Sequence, residues 1–494
     1  MAPKPESAGC IAAFERSLVV ISALVLVFVA ALANDVAATA ISPELEAFID
    51  KELAESAAPG LAVAIFADGE VAARGFGEVV EGNGKTVAAD TPFPIGSITK
   101  SFTALAIMQL VEAGELSLDD PVSKHLAAFN GRAAQDVTLR QLLNHTSGFS
   151  TVQGNSHHGA AEEARMGLVD YSGTLAQLAP EHAPGTSWNY SNANYQILGA
   201  VIEEASGMSY ADYIRTRIFE PLGMTNSLVV VGPPPPSVVT GHSPWFGSIR
   251  PADPGPAYPI SASAGGIVSS ARDMGRYLAM WLDGGDSIVS AEAKANMIAP
   301  SGPTSPYYGL GWSIDLARGT VYHTGLVPGG EALASFDPEE KRGVVVMVNA
   351  NGGLGFSDTW YLIGGVGALA MGQPHDDDGS RMGPKIAYLS IMLLAPLFLL
   401  ISGFSWKGRD RLRSKRSGVQ GKLGLWLPAI AMLGLSWFLL AVLPRMFGGS
   451  LATLQLFQPD FAWGLIGASI LGPAWALFRL ALAYFPQGRL RRSR

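Results

Sequence analysis

Three short segments of this chain carry residue types that can do nucleophilic chemistry. The first is Ser97-Ile98-Thr99-Lys100, preceded by Gly96 and followed by the apolar run Phe102–Val111. At i and i+3 on a helix, a serine and a lysine share one face. A serine hydroxyl is a weak nucleophile and needs a base beside it. A lysine serves as that base when burial or nearby positive charge lowers its pKa. A nucleophile at a helix start also sits among free backbone N–H groups. Ser-x-x-Lys alone also arises by chance, and Ser97 equally suits a helix N-cap.

The second segment is Tyr190-Ser191-Asn192, at the end of the stretch Pro184–Asn192. A tyrosine close to a cationic lysine can exchange a proton, and an asparagine can offer its amide to a substrate carbonyl. Taken alone, the stretch also reads as a Ser- and Asn-rich turn with an aromatic lid. The third is His323-Thr324-Gly325, followed by Leu326 and Val327-Pro328-Gly329-Gly330. Glycine on a strand lets another backbone approach the edge. A lone strand histidine is more often structural, so the weight lies in the three segments together.

The elements that must position these residues follow from patterning. Leu61–Phe66 and Val71–Phe76, joined by Asp68-Gly69, predict a β-hairpin. Helices are expected over 42–56, Ser97–Glu112, Leu139–Leu143, Ala193–Glu204, Ala271–Trp281 and Ser357–Met371. Late strands are expected at Gly311–Leu316, Thr320–His323, Leu333–Phe336 and Gly343–Val348. Strands at both ends with helices between give an α+β domain whose sheet is built from both termini.

The three segments, in this order, resemble the serine β-lactamase and penicillin-recognising superfamily, in its class C β-lactamase, D-aminopeptidase and esterase branch. Further matching segments are Leu142–Phe149, Ser263-Ala264-Gly265-Gly266 with Ser270, Asp273 and Met274, and Tyr308–Trp312. The resemblance covers roughly residues 42–371. It implies a mostly antiparallel sheet flanked by helices and a helical region, with the cleft between them. It implies that Ser97 forms an acyl-enzyme while Lys100 and Tyr190 move protons. The N–H groups of Ser97 and Leu326 would form the oxyanion hole. Asn192, His323, Thr324 and Gly325 would line the substrate, with no metal and no organic cofactor. Typical β-lactamases carry Lys-Thr-Gly where this chain has His323-Thr324-Gly325, so a fixed positive charge is lost there.

Composition frames the rest. The chain has 494 residues, 48 % hydrophobic and 15 % charged, with one cysteine. An intramolecular disulfide framework and cysteine-based metal sites are thereby excluded. No histidine pair makes a HExxH site, and no P-loop, dinucleotide fingerprint or Gly-x-Ser-x-Gly elbow occurs. Residues 34–385 carry 19 basic and 38 acidic residues, and residues 386–494 carry 13 basic and 2 acidic ones. That split suggests a water-facing domain followed by a membrane module, and the net charge of −8 argues against nucleic acid as a partner.

Residues 1–33 have the order of a secretory signal, cleaved or retained as an anchor. Residues 34–372 form the expected exported hydrolase domain and 373–385 a linker. Three apolar runs, 386–404, 423–443 and 461–485, are long enough to span a bilayer. The basic loop between the first two, and the basic tail 486–494, are expected in the cytoplasm. With almost no charge in the spans, a transporter is disfavoured. The layout resembles the membrane-bound prodrug-activating peptidases of the colibactin-maturing type. That resemblance implies a bacterial inner membrane, a periplasmic catalytic domain, and a small-molecule or peptide substrate such as an N-acyl-D-asparagine amide. A homo-oligomer or an exporter partner is compatible with this layout. A β-lactamase, an esterase or a non-catalytic envelope-binding protein on the same fold are the other readings.

Overall fold

The computed structural model describes residues 41–158, 163–252, 258–354, 358–375 and 382–485. The expected signal at 1–33 and the tail at 486–494 lie outside the described residues, as does part of the expected linker.

The domain begins with helix α1 (Pro43–Ser56). Ser42 caps it by accepting from the Leu45 N–H, and Pro43 occupies the first turn, where a missing N–H costs nothing. Strands β1 (Gly60–Ala67) and β2 (Glu70–Gly77) follow as a hairpin. Its two turn residues, Asp68 and Gly69, both take positive φ (53° and 80°), the geometry that matches the twist of a tight hairpin. Helix α2 (Thr99–Glu112) runs through the core, and helix α3 (Asn192–Ser206) packs against it. Helix α4 (Ala271–Leu282) is capped by Ser270, which accepts from the Asp273 N–H. Four strands and a helix close the domain: β3 (Ser313–Asp315), β4 (Thr320–Val327), β5 (Gly330–Asp337), β6 (Arg342–Val348) and α5 (Thr359–Ala370).

These six strands form one sheet in the order β2-β1-β6-β5-β4-β3, antiparallel throughout. The first two strands meet the last through the pairing of Leu61 with Val348. Strand β1 is an interior strand, second from the edge, and is largely buried on both faces. One face carries Leu61, Val63, Val344, Val346 and Val348 against α1 and α5. The other carries Ala62, Ala64, Val345 and Met347 into the large core shared with α2 and α4.

Three strands differ from the expected bounds by more than one residue at an end, β5 by starting at Gly330 rather than Leu333. β4 continues past Gly325 to Val327, because Gly325 marks a close approach to Ile95 rather than a strand end. β3 is shorter than Gly311–Leu316, because Gly311 has φ +82° and cannot extend the strand.

After the domain, two helices among the described residues are long and apolar enough to cross a membrane, Val419–Met446 and Pro459–Tyr484. The expected first span, 386–404, is not one continuous helix. It is a pair, Met382–Met392 and Leu394–Lys407, bent by 40°. Pro396 explains the break, since it has no N–H for the Met392 carbonyl and its ring crowds that turn. The helix ends nearest the domain are tied to it. Asp460 accepts from the Phe246 N–H (3.0 Å) and the Tyr388 hydroxyl (2.5 Å), and Gln458 Nε2 donates to the Gly352 carbonyl (2.6 Å).

Candidate active site

Ser97 lies in a 3-10 turn, Gly96–Ile98, that feeds directly into α2. The turn sits against the free edge of β4, beyond the short stretch paired with β3. Two glycines allow this approach. A Cβ at Gly325 would stand 2.0 Å from the Ile95 carbonyl oxygen, and one at Gly96 would stand 2.7 Å from the Leu326 nitrogen. Gly96 also takes φ +51°, a region that favours glycine. The backbone of Leu326 is thereby brought beside the turn that holds Ser97.

Lys100 is fully buried one turn along. Its Nζ lies 3.0 Å from Ser97 Oγ, 2.8 Å from Asn192 Oδ1 and 2.7 Å from the Ala264 carbonyl oxygen. Burial holds this amine well below its ordinary value. Two of the three partners can only accept. When the amine is neutral, it keeps donating to Asn192 and Ala264, and its lone pair is left facing the one partner with a proton to give, the Ser97 hydroxyl. The geometry is that of a base aimed at a nucleophile.

Asn192 opens α3, so its side chain leaves the helix at the first turn. Its Nδ2 donates to Asn155 Oδ1 (2.8 Å), which fixes the amide with its oxygen toward Lys100. Tyr190 stands two residues earlier, half-buried, with its ring centroid 4.9 Å from Lys100 Nζ. Burial raises the phenol pKa, and a hydrogen bond to Ser97 opposes that rise only in part. Tyr190 therefore keeps its proton and suits the role of donor.

His145 forms the floor behind these groups. It is fully buried, takes φ +61°, and its ring packs 4.5 Å from the Tyr190 ring. Its Nδ1 faces two donors, the Ser191 N–H (3.2 Å) and Asn194 Nδ2 (2.9 Å), so the proton resides on Nε2. Burial first, then Lys100 and His323, push its pKa well below the usual value.

His323 is likewise buried. Its Nδ1–H donates to the Thr324 carbonyl (2.7 Å) and its Nε2 accepts from the Tyr308 hydroxyl (3.1 Å). Burial, reinforced by Lys100, lowers its pKa to about 3. It is a neutral residue with both nitrogens engaged, so it offers no cation to a substrate carboxylate. Thr324 is half-buried, and Leu326 is 46 % exposed on the β4 edge.

Ser97, Lys100, Tyr190 and Asn192 thus converge, with His323 behind them and the Gly325-Leu326 backbone alongside. Asn155, His145, Tyr308 and the Ala264 carbonyl belong to the same cluster but were not singled out from the sequence. Only the framework segments containing His145, Ala264 and Tyr308 could have pointed to them. Among the described residues, no group of three or more His, Cys, Asp or Glu side chains is placed to hold a metal ion.

The comparisons with known proteins show the family and the fold. The Beta-lactamase family model matches residues 45–367. Penicillin-binding protein 4 of Amycolatopsis lactamdurans is 32 % identical over 327 residues, covering 60 % of this chain and 82 % of that protein. The octameric penicillin-binding protein homologue from Pyrococcus abyssi superimposes with a TM-score of 0.59 at 32 % identity, over 68 % of this chain and 78 % of that one. A D-stereospecific amidohydrolase from Streptomyces sp. superimposes with a TM-score of 0.51 at 28 % identity, over 62 % of this chain and 95 % of that one.

Proposed function

The chain belongs to the Beta-lactamase family of serine hydrolases, and from that premise we propose that it cleaves an amide, peptide or ester bond through an acyl-enzyme on Ser97. The observation that carries this reading is the placement of Lys100 Nζ, 3.0 Å from Ser97 Oγ and anchored by two pure acceptors.

In the first step Ser97 Oγ bonds to the substrate carbonyl carbon as its proton passes to neutral Lys100. The oxygen that becomes negative is held by the N–H groups of Ser97 and Leu326. The bond to the leaving group then breaks as Tyr190 hands it a proton, which Lys100 replaces. Water attacks the acyl carbon in the second step, releases the acid and restores the Ser97 hydroxyl. Asn192 orients Lys100 and the substrate amide, while Thr324 and Gly325 lie along the substrate backbone.

Amides carrying a D-residue are the favoured substrates, since the Streptomyces neighbour is a D-stereospecific amidohydrolase. The neutral, engaged His323 speaks against efficient capture of the β-lactam carboxylate. Removal of an N-acyl-D-amino acid cap from a prodrug is one reaction of this class. The catalytic domain is placed outside the cytoplasm, carried by three spans with the bent pair counted as one. The export-signal pattern and the loop charges support that orientation.

The test is intact-mass spectrometry of the detergent-purified protein after a fluorophosphonate probe, beside Ser97→Ala. A single adduct on Ser97, absent from the variant, is expected. Folded protein without an adduct, also with a smaller probe, would favour the binding-protein reading. D- and L-amino-acid amides (N-acyl-D-Asn amide included), esters and a chromogenic β-lactam then rank the substrates.

A further inference from the structure

We propose that the segment joining the last two apolar helices is a wall of the substrate cleft, and that Arg445, in the last turn of the first of them, binds a carboxylate borne on an apolar arm of the substrate. The inference rests on the serine-hydrolase reading above and adds a substrate class to it.

The loop is seated on the catalytic domain beside the catalytic groups. The Gly448 carbonyl accepts from Asn155 Nδ2 (2.9 Å), and the same Asn155 holds Asn192 through its oxygen. His158 Nδ1 and Thr453 Oγ1 make a second tie at 3.2 Å. Gly448 has φ +74°, and a Cβ there would lie 2.8 Å from Thr151 Cγ2, so only a glycine allows the loop this close. Thr151 in turn donates to the Tyr190 carbonyl (2.6 Å).

Between loop and domain lies an open groove of about 550 Å³. The domain side includes Val152 and Asn189, the latter adjacent in sequence to Tyr190, and the other side includes Arg445 and Met446, at the end of the helix Val419–Met446, with Phe447 just beyond it. Met446 and Phe447 are 71 % and 52 % exposed, which leaves apolar surface for a ligand to cover. Arg445 is exposed and, among the described residues, has no carboxylate partner.

The chemistry of the cleft makes that charge count. Lys100 is sealed and fully engaged, and His323 is neutral, so neither can meet an anion. Arg445 supplies a guanidinium fork suited to a carboxylate. The groove also opens where the helix Val419–Met446 ends, so an apolar arm can enter from the side of the membrane helices. An acylated amino acid or peptide combines such an arm with a carboxylate.

Protection of Ser97 from fluorophosphonate tests this on the full-length protein in an uncharged detergent. Octanoyl-glycine and octanoyl-glycinamide differ only in the charge. Each protein's labelling rate without ligand is its own reference. The acid should protect the wild type at a concentration about tenfold below the amide, and Arg445→Gln should erase that difference. Arg445 is exposed, so the substitution leaves the packing intact. Equal protection by acid and amide in the wild type overturns the proposal. So does unchanged selectivity in Arg445→Gln, the result expected of an arginine that serves only lipid phosphates. If the wild type takes no label, the Ser97 reading fails instead. Titration calorimetry of octanoyl-glycine against both proteins then decides Arg445 directly.

Discussion

Asn192 and Asn155 share a hydrogen bond of 2.8 Å, from Nδ2 of the first to Oδ1 of the second. This bond decides which end of the Asn192 amide faces Lys100. Because Asn155 gives its own Nδ2 to Gly448, the orientation of a group beside Ser97 is set from the segment between two long apolar helices.

Asn155→Ala should therefore free the Asn192 amide to turn and misplace Lys100. The expected result is a kcat lowered by roughly tenfold or more, with a smaller change in KM. A double-variant cycle with Asn192→Ala checks the route. The two losses should fall well short of adding, since both remove one arrangement. Full additivity would show that Asn155 acts elsewhere.

Ser97→Ala should abolish turnover while leaving the thermal unfolding midpoint near that of the wild type. Lys100→Ala should lower kcat by about 10³-fold or more, and Tyr190→Phe by about 10²-fold or more. Steady-state kinetics beside circular dichroism would check all three. Persistent turnover in Ser97→Ala would remove the nucleophile assignment.

The pH profile follows from Lys100. Its neutral form is the base, and that form grows as pH rises, so kcat/KM should climb with pH. Because burial lowers this pKa, the climb should be complete below the ordinary lysine value of 10.5. His145 and His323 are both held neutral, the latter down to about 3, so neither should produce a limb near pH 6.5. A limb there that disappears in a His323 variant would contradict the buried, neutral assignment.

Glu331 should make stability fall toward neutral pH. It is buried on β5 opposite Leu326 and accepts from the Gly352 N–H and the Thr359 hydroxyl, both at 2.7 Å. Burial raises its pKa from 4.5 to about 7. Between those values the folded state holds the proton more tightly than the unfolded one, so raising the pH destabilises the fold. Glu331→Gln should flatten the decline in midpoint between about pH 4.5 and 7 in a thermal-unfolding series. An unchanged slope would place the titration on other groups.

Much of the site was legible because its chemistry is local in sequence. Ser97 and Lys100 share one turn, and Tyr190 and Asn192 meet at the start of one helix. Asn155 and Gly448 were not legible, since they are 293 positions apart and no short pattern links them. Leu326 entered only through resemblance. Its approach to Ser97 depends on Gly96 and Gly325 lying back to back, which alternation along a strand does not reveal. The bend in the first apolar run was not legible for a different reason. Length and hydropathy suggested one span, while Pro396 inside it breaks the ladder that a straight helix requires.

The union of β1 with β6 bears on how the domain is made. Leu61 finds its partner Val348 only after almost the whole domain has been synthesised. Until then the hairpin of β1 and β2 presents a long, apolar, unpaired edge. The joining of the hairpin to the rest of the sheet is thus a late event of high contact order, and the nascent chain needs protection from aggregation for most of its synthesis. A ribosome that stalls shortly before Val348 releases a chain with its hazard exposed, whereas one that stalls among the C-terminal apolar helices releases a chain whose sheet can already close.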